Sequence, residues 1–147
     1  MARAPSLPGA LVVQAGAAYF ALVFAAGFLL ALIRIPFLVP RLGERVAELL
    51  EAPLMLVVIF IASRYVVHRF TLAASARLSI AVGMLALVLL LAAELLLAVA
   101  LEGRSVAAYI SDRDHISGSV YLASLLLYAV LPWLQFRKHR ISVGHDA

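Results

Sequence analysis

Long apolar segments without charge constrain this chain more than any other feature of its sequence. Residues 11–33 give 23 consecutive uncharged positions, residues 116–136 give 21, and residues 78–101 give 24 with a single charge, Glu94. About 20 apolar residues in a helix cross a hydrocarbon core of roughly 30 Å, so each segment predicts a membrane span. Composition agrees, because 65% of the 147 residues are hydrophobic and 14% are charged. That balance excludes a soluble enzyme and a nucleic-acid module.

A further span is predicted between segments 11–33 and 78–101, although residues 52–63 give only 12 uncharged positions. The prolines at both ends of 36–40 predict an extended stretch there. From 41 onward, apolar and charged residues alternate as in an amphipathic helix. We therefore predict one helix over about 41–69, kinked at Pro53, whose first turns lie at the membrane interface.

These segments together predict an all-α fold, a transmembrane four-helix bundle with a kinked second helix that carries an amphipathic outer segment. The whole chain, 1–147, is predicted to form a single integral membrane domain with spans near 11–33, 45–67, 78–101 and 116–136. No internal repeat is visible, which argues against an inverted-repeat transporter within one chain.

The distribution of basic residues predicts the orientation. With four spans, both termini and the second loop share one side, which carries seven Lys and Arg residues against five on the other. The positive-inside rule then places both termini in the cytoplasm. Near that side we expect contacts with anionic lipid headgroups from Arg64, Arg69, Arg137, Lys138 and Arg140.

Glu94 is the most informative residue, because an ionisable group inside a span indicates a site. It lies seven residues before the end of the third span, about 10 Å below the outer edge. Residues of the neighbouring helix ends can reach similar depth, which gives a candidate intramembrane polar site of Glu94, Tyr121, Ser124, Arg34, Arg41 and Glu51. Three roles stay open for Glu94: a structural pair, a proton or cation site in a transport path, and a contact with lipid or another subunit.

The fourth span carries polar residues at i, i+4, i+7, i+11 and i+18, which is one helical face. We call this face the polar seam; its members are Ser117, Tyr121, Ser124, Tyr128 and Gln135. Hydroxyl and amide groups in lipid need partners, so we expect the seam to face the interior of the bundle.

A stripe of small residues runs along the first span, with Ala17, Ala21 and Ala25 at intervals of four. Small residues at this spacing let helices approach closely in lipid. The stripe predicts packing within the bundle or, alternatively, a contact between copies of the chain.

Two clusters of acidic residues lie outside the clearest spans. The first, Glu44, Glu48 and Glu51, lies on one helical face. Arg41 and Arg45 precede Glu44 and Glu48 by three residues, which predicts ordinary ion pairs or, alternatively, a cation or headgroup site. The second, Asp112, Asp114 and His115, precedes the fourth span and predicts a helix cap rather than a metal site. No P-loop, GxSxG or HExxH motif occurs and cysteine is absent, so we expect no catalytic residues, no metal and no cofactor.

Four motifs punctuate the chain: VPRLGE at 39–44, EAPLM at 51–55, ASR at 62–64 and AEL at 93–95. Together they resemble a group of small four-span bacterial membrane proteins usually left as hypothetical proteins. The resemblance implies a bacterial inner-membrane location and no particular activity. Arg45, Glu48, Glu51 and Pro53 are also similar to the second-helix motif of the membrane-associated eicosanoid and glutathione metabolism family. Glu48 stands where that family has an asparagine, and the long loop that the family has before its second helix is missing here. We therefore do not assign the chain to that family.

These observations predict a small polytopic inner-membrane protein of non-catalytic type, either an accessory or assembly subunit or a self-assembling scaffold. The alternative is an oligomeric channel or transporter that uses Glu94 as a proton or cation site. Expected partners are the lipid bilayer, anionic lipids on the cytoplasmic side, and further copies or other subunits of a membrane complex. A net charge of +4 on so apolar a chain favours lipid headgroups over nucleic acid.

Overall fold

A computed structural model describes residues 8–72, 75–102 and 115–143 of the chain. Within these ranges only Gly43, Phe70, Thr71 and Ser75 lie outside a helix. The elements in chain order are α1 (Pro8–Ile33), a π-helix (Arg34–Leu38), α2 (Val39–Leu42), α3 (Glu44–Arg69), α4 (Ala76–Glu102) and α5 (His115–Val143). The all-α prediction is confirmed.

Four helical stretches are long and apolar enough to cross a membrane, as expected for a multi-pass membrane protein. They are Gly9–Leu42, Glu44–Arg69, Ala76–Ala100 and Gly118–Gln135. A helix is the natural form for such sequences, because lipid offers no partner for a backbone N–H or C=O and the helix satisfies both internally. The predicted four-helix bundle is therefore present.

The stretch 36–40 was predicted to be extended, and this was wrong. The helix continues through it as a π-helix, Arg34–Leu38, and the N–H of Val39 bonds to the carbonyl oxygen of Arg34 five residues earlier. Pro36 and Pro40 lack an N–H, and the wider π turn keeps neighbouring backbone groups paired without breaking the helix. The first membrane helix therefore runs on to Leu42.

The chain reverses at Gly43, so the predicted single helix over 41–69 is divided. Gly43 has φ of 79°, a left-handed conformation that glycine adopts without steric cost. Arg41 consequently belongs to α2, and the next helix begins at Glu44. Pro53 lies inside α3 as predicted.

The four long helices pack in a closed ring, in the order α1, α4, α5, α3. Helices α3 and α4 are consecutive in the chain yet lie on a diagonal, so their connection crosses one end of the bundle. Leu72 in this connection is fully buried, and Phe70 packs against the core beside it. The Ser79 hydroxyl donates to the carbonyl oxygen of Leu72 at 3.2 Å, which holds the connection over the end of the core.

We call the end of the bundle with this connection the basal end, and residues 8–23, 59–72, 75–90 and 128–143 the basal half. The hydrophobic core lies there, and it includes residues from all four long helices. Its fully buried members include Tyr19, Val66, Val82 and Tyr128.

The remaining described residues form the distal half. Among those with described side chains, only Ala47 and Ala98 are buried. Large apolar side chains such as Leu29 and Leu96 are 61% and 69% exposed. In lipid, such residues suit the outer surface of a membrane protein.

Candidate functional site

Glu94 and Tyr121 meet in the distal half and join α4 to α5. The Tyr121 hydroxyl donates a hydrogen bond to Oε2 of Glu94, and both side chains are half-buried. A carboxyl group inside a span is costly to leave unpaired, so this contact gives Glu94 a partner from a neighbouring helix. The sequence predicted similar depth for the two residues, and the structure adds that their faces converge.

The depth of this pair follows from helix geometry. Glu94 lies about 25 Å along α4 from Arg77, and Tyr121 about 24 Å along α5 from Arg137, at 1.5 Å per residue. Both arginines are exposed at the basal end. If such cations mark one membrane boundary, the pair lies inside the hydrocarbon core of roughly 30 Å, near its far side.

A second polar contact joins the end of the first membrane helix to α3. Arg34 Nε lies 2.8 Å from Glu51 Oε2, and Arg34 Nη1 lies 3.3 Å from Glu48 Oε1. We call these three residues the ionic triad. The Arg34 and Glu51 side chains are 21% and 18% exposed, so their attraction is screened by solvent less than that of a surface pair.

The predicted polar site is thus divided between two pairs of helices. Glu94 and Tyr121 lie on α4 and α5, whereas Arg34 and Glu51 lie at the contact of the π-helix with α3. Ser124 donates to the carbonyl oxygen of Val120 in its own helix at 2.8 Å. Arg41 is exposed in α2.

Glu48 was not among the predicted site residues, since its expected partner was Arg45 on the same helix. The structure pairs it with Arg34 across the Gly43 turn. The i, i+3 spacing of Glu48 and Glu51 could have predicted this pairing. It places two carboxylates on one helical face, where Arg34 at the end of the preceding span can reach both.

A third polar contact lies at the centre of the core, between the diagonal helices α1 and α5. The Tyr19 hydroxyl donates to the carbonyl oxygen of Tyr128 at 3.0 Å, and the two rings stack with centroids 4.5 Å apart. Pro132 explains the free acceptor, because a residue with an N–H at that position would bond to the carbonyl four residues earlier. Tyr19 supplies the missing donor from another helix. Sequence reasoning included Tyr128 in the seam but missed Tyr19.

Two further hydroxyls accompany this contact. Ser63 lies beside the Tyr19 hydroxyl, and the Ser63 and Tyr128 hydroxyl oxygens are buried. Neither oxygen makes a well-directed hydrogen bond within the part of the chain that the structure describes. Groups of this kind commonly hold an internal water molecule.

The polar seam of α5 contacts several helices. Besides Tyr121 and Tyr128, Gln135 donates from Nε2 to the carbonyl oxygen of Phe60 in α3 at 3.2 Å. Ser117 lies in α5, and its side chain falls outside the described part of the structure.

A close helix contact uses a glycine rather than the alanine stripe. A methyl group at Gly83 of α4 would overlap the carbonyl oxygen of Ala129 in α5. Gly16 of α1 similarly lies against Leu85, whose Cδ2 would be 2.8 Å from an added Cβ.

The stripe of Ala17, Ala21 and Ala25 is exposed. Packing within the bundle, one of its two predicted uses, is therefore not what the stripe provides. Gln14 is exposed too, and it lies three residues before Ala17 on the same helical face. The four residues form an outward surface that we call the α1 face.

The basic residues expected at lipid headgroups gather at the basal end. Arg64, Arg69 and Arg137 are exposed, and the guanidinium of Arg137 lies over the Trp133 ring at 5.1 Å from its centroid. The structure describes the helical backbone of Lys138 and Arg140 but not their side chains.

Asp112 and Asp114 lie outside the described residues, as does the side chain of His115. Within the ranges that the structure describes, no group of three His, Cys, Asp or Glu side chains could hold a metal ion. The chain matches no known protein family, no curated protein and no solved structure.

Chemically, the three contacts pair helices rather than assemble one reaction centre. Glu94 and Tyr121 tie α4 to α5, the ionic triad ties the first membrane helix to α3, and Tyr19 ties α1 to α5. Each places a polar group against a polar partner in surroundings where an unpaired group would be costly.

Proposed function

We propose that this chain is a non-catalytic component of the bacterial inner membrane that acts as an assembly subunit or a self-associating scaffold. The observation that carries the proposal is the outward α1 face. Small residues allow a second helix to approach closely, and the amide of Gln14 both donates and accepts hydrogen bonds across a helix contact. A face of this kind suits a partner helix better than acyl chains, which offer the amide nothing.

The internal contacts support the non-catalytic part of the proposal. Glu94 accepts a hydrogen bond from Tyr121, and Arg34 lies against two carboxylates of the same chain. Ionisable groups used in this way hold helices in register, which is what a scaffold needs.

Crosslinking from the α1 face tests the assembly function. A photo-crosslinking residue in place of Ala21 is expected to join the chain, in native membranes, to a second copy or to another membrane protein. Val88 is the matched control, because it is 59% exposed and lies at similar depth on α4. Equal crosslinking from both positions, or none from Ala21, would contradict the proposal.

A channel or transporter is the second candidate, favoured by the buried hydroxyls of Ser63 and Tyr128 in the centre of the bundle. With internal water they would extend polar surface from the core toward Tyr121 along the seam. Proton and cation flux into liposomes distinguishes the candidates, with the wild type compared with Glu94→Gln. Flux above that of empty liposomes that Glu94→Gln abolishes would favour transport, and no flux would favour the scaffold.

We also propose that the basal end faces the cytoplasm, with both termini on that side. Support comes from charge, since the exposed arginines of the basal end attract the anionic inner leaflet. The wild type has no cysteine, so single cysteines at Thr71 and Arg41, both exposed, report the two sides. In intact spheroplasts an impermeant maleimide should label Arg41→Cys and spare Thr71→Cys. The reverse pattern would overturn the orientation.

A further inference from the structure

One face of α3 at the basal end combines cationic, aromatic and apolar side chains. Ile61, Arg64, Tyr65, His68 and Arg69 line a shallow groove of about 520 Å³ there. Their spacing of i, i+3, i+4, i+7 and i+8 places all five on one side of the helix.

The groove is exposed rather than turned toward the bundle. Arg64, His68 and Arg69 are exposed, and Ile61 and Tyr65 are 60% and 55% exposed. The guanidinium of Arg69 lies 5.8 Å from the centroid of the Phe70 ring, a contact that limits where this long side chain extends.

The order of the residues along α3 matches the order of groups in a phospholipid. Arg69 and His68 lie nearest the basal end, Arg64 and Tyr65 about one turn deeper, and Ile61 a further turn toward the membrane centre. Guanidinium groups bind phosphate oxygens in bidentate fashion. A tyrosine at the interface presents an apolar ring to lipid and a hydroxyl to water.

The surrounding charge favours an anionic ligand. Among the described residues, every carboxylate belongs to the distal half: Glu44, Glu48, Glu51, Glu94 and Glu102. The Gln135 bond to Phe60 sets the register of the parallel helices α3 and α5. From that bond, Arg64 and Arg137 lie about 6 Å and 3 Å further toward the basal end. Arg137 therefore adds positive potential at the level of the groove.

We propose that this face of α3 is a binding site for the headgroup phosphate of an anionic phospholipid, with Arg64 and Arg69 as the phosphate ligands and Ile61 and Tyr65 against the upper acyl chain. The lipid is a resident ligand of the basal end, distinct from the α1 face at which assembly is proposed. It anchors α3 at the membrane boundary of the basal end.

The test is native mass spectrometry of the full chain, purified in detergent and offered phosphatidylglycerol and phosphatidylcholine in equal amounts. The wild type is expected to retain phosphatidylglycerol preferentially. A membrane-proximal arginine contributes about 1 kcal/mol toward anionic lipid, which is about fivefold in affinity. The double variant Arg64→Gln/Arg69→Gln should therefore lose retention by roughly 25-fold. Unchanged retention would overturn the site.

The matched control is Arg41→Gln/Arg45→Gln, which removes two exposed arginines from the distal half. It should retain phosphatidylglycerol as the wild type does, and an equal loss would show non-specific charge attraction and overturn the proposal. Inorganic phosphate serves as the competitor. Competition at concentrations equal to those of the lipid would assign the site to a free anion and overturn the lipid assignment.

The salt dependence of lipid retention by the wild type tests the site independently of whether the double variant folds. Charge attraction at an exposed site is screened by salt, over a Debye length of about 10 Å at 0.1 M and about 3 Å at 1 M. Retention of phosphatidylglycerol should therefore fall severalfold over that range while retention of phosphatidylcholine stays constant. Retention of phosphatidylglycerol that does not depend on salt would overturn the proposal.

Discussion

The basal and distal halves of the bundle are built from equally apolar helices, yet only one of them has a packed core. The basal half buries residues from all four long helices, whereas Ala47 and Ala98 are the buried residues among the described side chains of the distal half. Hydrophobicity does not explain the difference, because acyl chains are as apolar as leucine. Close approach of helices accompanies the packed half: Gly83 lies against the Ala129 carbonyl, and Ala86 is fully buried.

The polar contacts divide in the same way. The basal half uses buried hydroxyl contacts to backbone carbonyls, Tyr19 to Tyr128 and Ser79 to Leu72. The distal half uses Glu94 with Tyr121 and the ionic triad, all of them partly exposed. Packing thus holds the basal end together, and polar pairing holds the distal end together. Each half therefore predicts a different sensitivity to mutation.

The largest effect is expected from Gly83→Ala in the basal half. The added methyl group would overlap the carbonyl oxygen of Ala129, so α4 and α5 must separate. Overpacking of this kind lowers the free energy of unfolding by about 2–3 kcal/mol, measurable by unfolding in mixed micelles.

Gly27→Ala is its matched control in the distal half, because an added Cβ there would lie 3.5 Å from the flexible end of Met55. We expect no loss of stability, or a slight gain from the better helix propensity of alanine. Similar losses of unfolding free energy in Gly83→Ala and Gly27→Ala would show that the two halves are packed equally tightly.

A smaller effect is expected from Arg34→Gln in the distal half. The change leaves Glu51, which is 18% exposed, without its cation, and we expect a loss of about 1–2 kcal/mol in the free energy of unfolding. Arg41→Gln, an exposed arginine seven residues later, should stay within about 0.5 kcal/mol of the wild type. A silent Arg34→Gln would show that the ionic triad does not stabilise the distal end.

Tyr19→Phe should cost about 1 kcal/mol, since it leaves the Tyr128 carbonyl without a donor. A double-mutant cycle tests whether the missing N–H of Pro132 is the reason that the Tyr128 carbonyl needs the Tyr19 hydroxyl. In the Pro132→Ala background the helix supplies its own N–H, so removal of the Tyr19 hydroxyl should cost measurably less. An identical cost in both backgrounds would refute the role of Pro132.

The smallest effect is expected from Tyr121→Phe, about 0.6 kcal/mol, which is typical of side-chain hydrogen bonds within membranes. Glu94→Gln should cost less, because the amide oxygen of glutamine still accepts from Tyr121. Chemical denaturation of both variants beside the wild type gives the comparison. A loss above about 2 kcal/mol for either variant would mean that the pair is as important as basal packing.

The number of spans and the all-α class were predictable, because uncharged runs such as 11–33 leave the backbone no alternative to a helix in lipid. Depth was predictable too, since the rise per residue puts Glu94 and Tyr121 at one level. The convergence of their faces was not, because it depends on helix rotation. The ring order, with α3 and α4 on a diagonal, is likewise a property of packing that no periodicity records.

Local errors arose where two rules competed. The prolines at 36 and 40 predict extended structure, but the need to pair backbone groups near lipid favours a π-helix instead. The stripe at Ala17 predicts close packing, yet the close contact is made by Gly83 of α4. Small residues show where another helix can approach closely, but they do not show which helix packs there.

The basal half is packed and the distal half is open. Hydrogen–deuterium exchange of the wild type in detergent micelles tests this difference most directly, because amide protection reports local opening in each segment. We predict that amides in 59–67 and 82–90 exchange at least about tenfold more slowly than those in 24–33 and 91–100, a difference of about 1.4 kcal/mol. Equal protection of the four segments would show that the two halves are packed alike.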